Sequence, residues 1–159
     1  MINLTPEEIL ERSGIPFQVF VHQSNPASLL EAARERNQQP SQVIKTIIFR
    51  VKRDNFLAIL IAGDRQVSWK KLRLAVDSPR LTIASVDEVF SVTGCRPGTV
   101  SPFCIPTNVP IYVDSSVLQN KVVSIGSGTP GKAFILNPTD LIKALNDPVP
   151  LNLSSNDDD

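Results

Sequence analysis

Two apolar runs separated by four polar residues constrain this chain more than any other feature. The first is Val43-Ile44-Lys45-Thr46-Ile47-Ile48-Phe49-Arg50-Val51 and the second is Phe56-Leu57-Ala58-Ile59-Leu60-Ile61-Ala62. Both have strand length and the first is rich in β-branched residues. The intervening Lys52-Arg53-Asp54-Asn55 suits the turn of an antiparallel hairpin. Side chains alternate along a strand, so Val43, Lys45, Ile47, Phe49 and Val51 share one face, and Ile44, Thr46, Ile48 and Arg50 the other. Lys45 therefore stands on the more apolar face. Two outcomes are open to it. The ammonium can run out to the sheet edge. Alternatively it lines a pocket floored by the sheet, its pKa lowered by burial, and meets an anionic or carbonyl group there.

The rest of the chain reads as helices and short strands around that hairpin. Thr5-Pro6-Glu7-Glu8, Asn25-Pro26, Ser68, Ser85-Val86-Asp87-Glu88 and Asn137-Pro138 are helix starts, each placing a capping side chain before the first turn. Short strands are expected at residues 17–21, 111–113, 122–125 and 133–136. Hairpins among them predict an α/β fold: a single domain with a mixed, mostly antiparallel, curved or barrel-like sheet surrounded by helices. At 159 residues the body is expected to span 1–148, and residues 149–159 to form an acidic, disordered tail.

Charge and cysteine usage remove several function classes. Sixteen basic and sixteen acidic residues cancel; leaving out the terminal Asp157, Asp158 and Asp159 gives a body at +3. A nucleic-acid partner then needs a local patch. The most basic stretch is Arg65, Lys70, Lys71, Arg73 and Arg80, readable as a solvated helix face or as a surface for a phosphate backbone. Residues 1–8 have neither part of a signal peptide, and no apolar run is long enough to span a bilayer. A cytoplasmic protein without membrane partners is expected. Cys95, Cys104 and the single His22 have no zinc-ligand spacing, and a thiol nucleophile built from them has no spacing logic either.

Two loops and one carboxylate are the remaining candidates. Residues 93–103 hold Gly94, Pro97, Gly98 and Pro102. That composition fixes backbone shape and lets main chain approach a ligand, so N–H groups near Gly98 and Thr99 can form an oxyanion pocket. A rigid crossover is the other reading. Gly126-Ser127-Gly128-Thr129-Pro130-Gly131 has dinucleotide-fingerprint spacing. A strand follows it instead of a helix, and Pro130 falls inside it, so a glycine-rich hairpin beside a pocket is expected. Asp114 either orients a donor or Lys45, or caps the turn at Ser115 and Ser116.

Taken together, Gln42-Val43-Ile44-Lys45-Thr46-Ile47-Ile48-Phe49, the T-G-x-x-x-G-x-V-S-P loop from Thr93 to Pro102, and Tyr112-Val113-Asp114 followed by the Gly126/Gly128 turn resemble one family. It is the YbaK/ProX-type aminoacyl-tRNA deacylases, relatives of the editing insertion domain of bacterial prolyl-tRNA synthetase. The resemblance covers residues 5–146. It implies a trans-editing hydrolase that cleaves the ester of a mischarged small amino acid (Cys, Ala, Ser or Thr) on tRNA, in particular tRNA(Pro). A non-catalytic module binding tRNA or a synthetase is the alternative. The resemblance makes Lys45 the catalytic residue. It places Gly98, Thr99, Val100, Ser101, Pro102, Asp114, Gly126, Ser127 and Gly128 around the substrate, and Arg65, Lys70, Lys71 and Arg73 against the tRNA. It implies no metal or cofactor, and prolyl-tRNA synthetase as a partner. The chain departs from cysteine-selective members at Thr99 and Cys104. It departs from alanine-selective members by lacking a histidine at Gly126-Ser127-Gly128. The amino acid removed stays open.

Overall fold

The computed structural model describes residues 4–156. Helix α1 (Pro6–Ser13) starts where Thr5 Oγ1 accepts from Glu8 N–H and stops at Gly14, whose φ of 75° is left-handed. Strand β1 (Phe17–Val21) leads through a loop to α2 (Leu29–Glu35). The Asn25-Pro26 pair does not open that helix. Ser28 is the cap: its Oγ accepts from Glu31 N–H, while Glu31 Oε2 accepts from Ala27 N–H. The Ser28/Glu31 pair satisfies two amide donors at once, so the helix starts there and residues 22–27 remain irregular. The expected hairpin follows as β2 (Ile44–Lys52) and β3 (Asn55–Ala62).

Helix α3 (Trp69–Val76) is capped by Ser68. A two-residue strand β4 (Thr82–Ile83), absent from the sequence reading, precedes α4 (Val86–Thr93), which carries the full capping box of Ser85 and Glu88. The chain then runs through β5 (Ile111–Val113), β6 (Val123–Gly126), β7 (Lys132–Leu136) and α5 (Pro138–Ala144), the last capped by Asn137.

Among the described residues the strands form two sheets, in the orders β1-β7-β6 and β4-β2-β3-β5. Every pairing is antiparallel except β3 with β5. A parallel bridge between Val43 and Ser124 joins the sheets edge to edge. The result is a curved, open surface; the closed barrel is not formed. Alternation places Leu60 and Ala62 of β3 with Leu10 of α1, Phe134 of β7 and Leu141 of α5. Leu57, Ile59 and Ile61 face the other way, toward Leu72 of α3. With both faces covered, residues 57–62 are almost wholly inaccessible, as a near-continuous apolar strand requires.

Leu153, fully buried, joins the second of these layers. The segment expected to be a loose tail is thus docked as far as residue 155, whereas Asp157, Asp158 and Asp159 lie outside the described residues. Leu151 bridges Asp114 and Ser154 bridges Val67. The anchor is the buried carboxylate of Asp114, which accepts from Leu153 N–H at 2.7 Å, from Ser116 N–H at 3.1 Å and from the Ser154 hydroxyl. Two apolar residues in alternation and one fixed carboxylate outweigh the polar composition of 151–156.

Burial alone raises the pKa of Asp114, but the hydrogen bonds from Ser116, Ser154 and Leu153 outweigh it and hold the carboxyl below its ordinary value. A carboxyl depressed in the folded state stabilises the fold above its unfolded pKa, and that stabilisation is lost as pH falls through the native value. Asp114→Asn is therefore expected to lower the unfolding free energy by about 2–3 kcal/mol at neutral pH. The gap should close in acid. Urea unfolding of both proteins from about pH 7 down to about pH 2 checks this.

Candidate functional site

Strand β2 is paired to β3 along its whole length but only at its two ends on the other side. Val43, just before it, bridges Ser124 of β6; Phe49 and Arg50 pair with Ile83 and Thr82 of β4. Between those points the edge of β2 meets no strand. A cleft of about 630 Å³ follows this gap. Its other walls come from residues 25–29 ahead of α2, from residues 97–100, and from the turn between β6 and β7. Ile48 C=O accepts from Ala84 N–H, so by alternation the N–H and C=O of Thr46 point into the gap. Thr46 Oγ1 is buried there without a partner. A buried unpaired hydroxyl is uncommon and marks a place for a ligand's polar atom.

Lys45 lines the cleft. Its Nζ donates to Arg65 C=O at 2.6 Å, just beyond the end of β3. The ammonium thus runs out past the end of β3 to a main-chain carbonyl, and the residue also lines the cleft. Burial lowers its pKa and the charge of Asp64 works against that. The same cleft is lined by the bend at Gly98, whose φ of 88° is left-handed. Thr99 N–H is not one of its available donors, because it closes the turn onto Arg96 C=O at 3.0 Å. The Gly98 and Val100 amides make no hydrogen bond among the described residues, so they are the two main-chain donors the bend offers.

Of the residues expected around the substrate, Gly98, Thr99, Val100 and Gly126 line the cleft. The others do not. Ser101 is fully buried and caps a short turn through Phe103 N–H, and Pro102 is packed beneath it. Asp114 anchors the C-terminal segment. The Ser127 hydroxyl is consumed by Thr129 and Lys132 main chain. At Gly128 an added Cβ would sit 3.0 Å from Cys104 Sγ and 3.5 Å from Cys95 Sγ, so that glycine packs on the two thiols. Burial and the neighbouring Cys95 push the Cys104 thiol up to about 12, where it is not a nucleophile at neutral pH.

Sequence reasoning missed Arg36. It is the C-cap residue of α2 and lines the cleft. Nε donates to His22 Nε2 at 3.1 Å and Nη1 to Ser124 Oγ at 2.9 Å; Ser124 Oγ donates on to Gln38 Oε1 at 2.7 Å. His22 Nε2 is thus taken by Arg36, while Nδ1 lies 3.3 Å from Glu35 Oε1 without a hydrogen bond. With Lys45 and Lys132, Arg36 makes three cations on a lining that contains no Asp or Glu.

On the outer surface Lys71 Nζ is tied to Ser154 C=O, and Arg73 lies over the Trp69 ring at 5.8 Å. Lys70 and Arg73 are exposed, while Arg65 is only half so. A second groove gathers Arg50, Lys52, Arg53 and Arg80 from the β2–β3 turn and the approach to β4. It abuts the cleft across β4, with Thr82 lining the groove and Ile83 the cleft.

The Gly98 bend is held by its contact with β6. A Cβ added at Gly126 would stand 2.6 Å from Val100 O and 2.9 Å from Thr99 O, both main-chain atoms. Gly126→Ala is expected to displace residues 97–100, destabilise the fold by about 1–3 kcal/mol, and raise amide exchange at Thr99 and Gly128, whose hydrogen bonds hold the bend. Thermal melting and hydrogen-exchange mass spectrometry measure the two effects.

The profile of the aminoacyl-tRNA editing domain matches residues 24–144. Proline–tRNA ligase of Bacillus cytotoxicus is 30% identical over 111 residues, which is 70% of this chain and 18% of the ligase. The ligase of Aquifex aeolicus is 25% identical over 119 residues, 74% of this chain and 21% of that protein. The chain thus spans about a fifth of the length of these relatives. Among solved structures, a hypothetical protein superposes with a TM-score of 0.86 at 26% identity, covering 94% of this chain and 98% of that one. A candidate trans-editing enzyme for prolyl tRNA synthetase superposes at 0.83 with 25% identity, covering 98% and 100%. The chain belongs to the aminoacyl-tRNA editing domain family.

Proposed function

We propose that this protein hydrolyses, in trans, the ester joining a small, wrongly attached amino acid to the terminal adenosine of a tRNA. The observation that carries the proposal is the cleft itself: a half-buried lysine and a bend with two unused main-chain donors line the same cavity, and that lining holds no carboxylate. Its cationic walls suit the end of an RNA, and its apolar part, from Ile48, Ile83, Val89 and Val100, suits a small side chain. Relatives named for proline–tRNA ligation and for editing with it favour tRNA(Pro), a prolyl-tRNA synthetase as partner, and a cytoplasmic place of work. Cys, Ala, Ser and Thr are the amino acids in range. A pocket discriminates one methylene by only about 1–3 kcal/mol, so several of them are expected to react.

An aminoacyl ester is already activated, and positioning plus charge stabilisation suffices to cleave it. Water, or the thiol of a cysteinyl substrate, attacks the carbonyl carbon. The oxygen that gains charge is received by the Gly98 and Val100 amides. The tetrahedral centre collapses with expulsion of the ribose 3′ oxygen, which takes a proton and leaves as the hydroxyl. Lys45, held by Arg65 C=O, supplies fixed positive charge beside the ribose. Thr46 Oγ1 gives the substrate a hydrogen-bonding partner. Outside the cleft, Arg65, Lys70 and Arg73 together with the Arg50, Lys52, Arg53 and Arg80 groove form the tRNA surface, and binding there weakens steeply with salt.

Lys45→Ala is expected to reduce deacylation by about 10²–10³-fold with an unchanged melting temperature. A panel of Ala-, Ser-, Thr- and Cys-tRNA measures it. Saturable binding of tRNA with no ester cleavage by the wild-type chain would favour the non-catalytic module instead.

The pH dependence follows from the same lysine. Activity that needs the ammonium falls as pH rises through the lowered Lys45 pKa. Asp64 holds that value up, so Asp64→Asn is expected to move the alkaline fall to lower pH. Initial rates, corrected for spontaneous ester hydrolysis, read the shift.

A further inference from the structure

Arg36 is a cation fixed in the cleft wall with no carboxylate in hydrogen-bond contact among the described residues, although the charge of Glu35 acts on it from a distance. Both groups that hold it are neutral acceptors. His22 Nε2 accepts from Nε, which leaves Nδ1 as the imidazole's donor, 3.3 Å from Glu35 Oε1 but not in hydrogen-bonding geometry with it. Ser124 Oγ accepts from Nη1 while its own proton goes to Gln38 Oε1. Glu35, the nearest carboxylate in sequence, pairs with His22 instead of the guanidinium. Inside proteins arginine is ordinarily matched to a carboxylate or phosphate. Burial disfavours its charged form, yet a guanidinium does not deprotonate. Nη2 makes no hydrogen bond among the described residues.

The geometry fixes where this charge lies. Arg36 is bolted to β6 through Ser124 and to the end of β1 through His22. His22 N–H in turn donates to Gly131 C=O at 2.8 Å, beside Lys132. The Lys132 ammonium is matched to Glu7 at 2.7 Å; Arg36 is not matched. The cleft's apolar part, Ile83 and Val89, belongs to β4 and α4, elements with no bond to this network. One end is therefore cationic and the other apolar. In an aminoacyl ester of a terminal nucleotide the amino acid's own carboxyl is esterified and carries no charge. The nearest anion is the phosphodiester on the 5′ side of that nucleoside.

We infer that Arg36 is the phosphate-recognition residue of the cleft, offering its unbonded Nη2 edge to the phosphodiester on the 5′ side of the terminal adenosine. The inference rests on the deacylase reading for the identity of the ligand, but it is a statement about binding and can be tested without turnover. It makes the cleft selective for a nucleotide end over a plain aminoacyl nucleoside. Arg36 is a binding residue that sets substrate position; Lys45 stays the residue beside the ester.

The test is calorimetric titration of the whole chain with two probes, adenosine and adenosine 5′-(O-methyl phosphate). The wild type is expected to bind the phosphodiester at least tenfold tighter than adenosine. Arg36→Gln should abolish that preference and leave adenosine binding unchanged; Arg36→Lys, keeping charge without the fork, should retain part of it. Circular dichroism melts confirm that both variants fold. Equal wild-type affinity for the two probes would overturn the inference, as would an Arg36→Gln protein that loses both probes alike, the signature of a purely structural residue. Preference for the phosphodiester by a chain that cleaves no aminoacyl-tRNA would leave the inference standing and remove the deacylase reading alone.

Discussion

The cleft exists because one strand cannot be paired on both edges along its whole length. β2 is clamped by β3 on one side, and on the other is shared between β6 at Val43 and β4 at Phe49 and Arg50. The two neighbours diverge because the joined sheets curve. What lies between is a length of strand edge, with main-chain polar groups that the fold leaves unpaired. Such an edge is a liability unless something covers it. Here residues 25–29, the Gly98 bend and the β6–β7 turn stand around it, leaving room for a ligand in place of a further strand. The same gap supplies the floor of the site and the reason it must bind something polar.

Two of the three cleft cations, Lys45 and Arg36, are positioned by uncharged acceptors, and this has a common physical logic. A half-buried charge paired to a carboxylate is stabilised but neutralised; one held by a carbonyl, an imidazole and a hydroxyl keeps its field. Lys45 on Arg65 C=O and Arg36 on His22 and Ser124 follow the second pattern. Their desolvation is a cost to folding, offset by the apolar layers on either side of β3, where residues 57–62 are almost wholly inaccessible. The third cleft cation, Lys132, and the surface Arg50 are treated differently. Arg50 meets Glu88 at 3.3 Å and Lys132 meets Glu7, pairings that are worth little to stability and keep long side chains in place.

What could be read in advance was local. The β2–β3 hairpin and the caps at Thr5, Ser68, Ser85 and Asn137 each depend on residues within a few positions of one another, and each forms. The Asn25-Pro26 start fails because a second local signal, Ser28 with Glu31, lies three residues on and satisfies two donors. The longer-range parts of the site were illegible for a matching reason. Arg36 and Ser124 are 88 residues apart, and Asp114 meets Ser154 across 40. Nothing in Ala33-Arg34-Glu35-Arg36 distinguishes the arginine that turns inward from the one that does not. Asp114 reads as a site carboxylate beside a strand end, and only the returning chain shows that its acceptors are already filled. The capping alternative, through Ser116, was the half of that reading that depended on neighbours.

The glycine-rich hairpin shows how a motif can be functional without touching substrate. Its Ser127 is turned inward onto Thr129 and Lys132, and Gly128 rests on two thiols. Gly126, Thr129 and Gly131 border the cleft, and what Gly126 contributes there is the lack of a side chain. Main chain of residues 99 and 100 passes so close that a methyl group has no place, and Gly128 N–H fixes the approach by donating to Thr99 C=O at 2.8 Å. Thr99 N–H closes its own turn. With both its N–H and its C=O in use, Thr99 is the pinned residue of the bend. The amides on either side of it, at Gly98 and Val100, are then held in place and left vacant by the same contacts. Donors that are already oriented need no reorganisation when charge develops before them, and that condition makes main-chain N–H groups effective in catalysis. The thiols beneath Gly128 are packing that supports this arrangement, and under the proposed function the chemistry passes to water and to fixed dipoles.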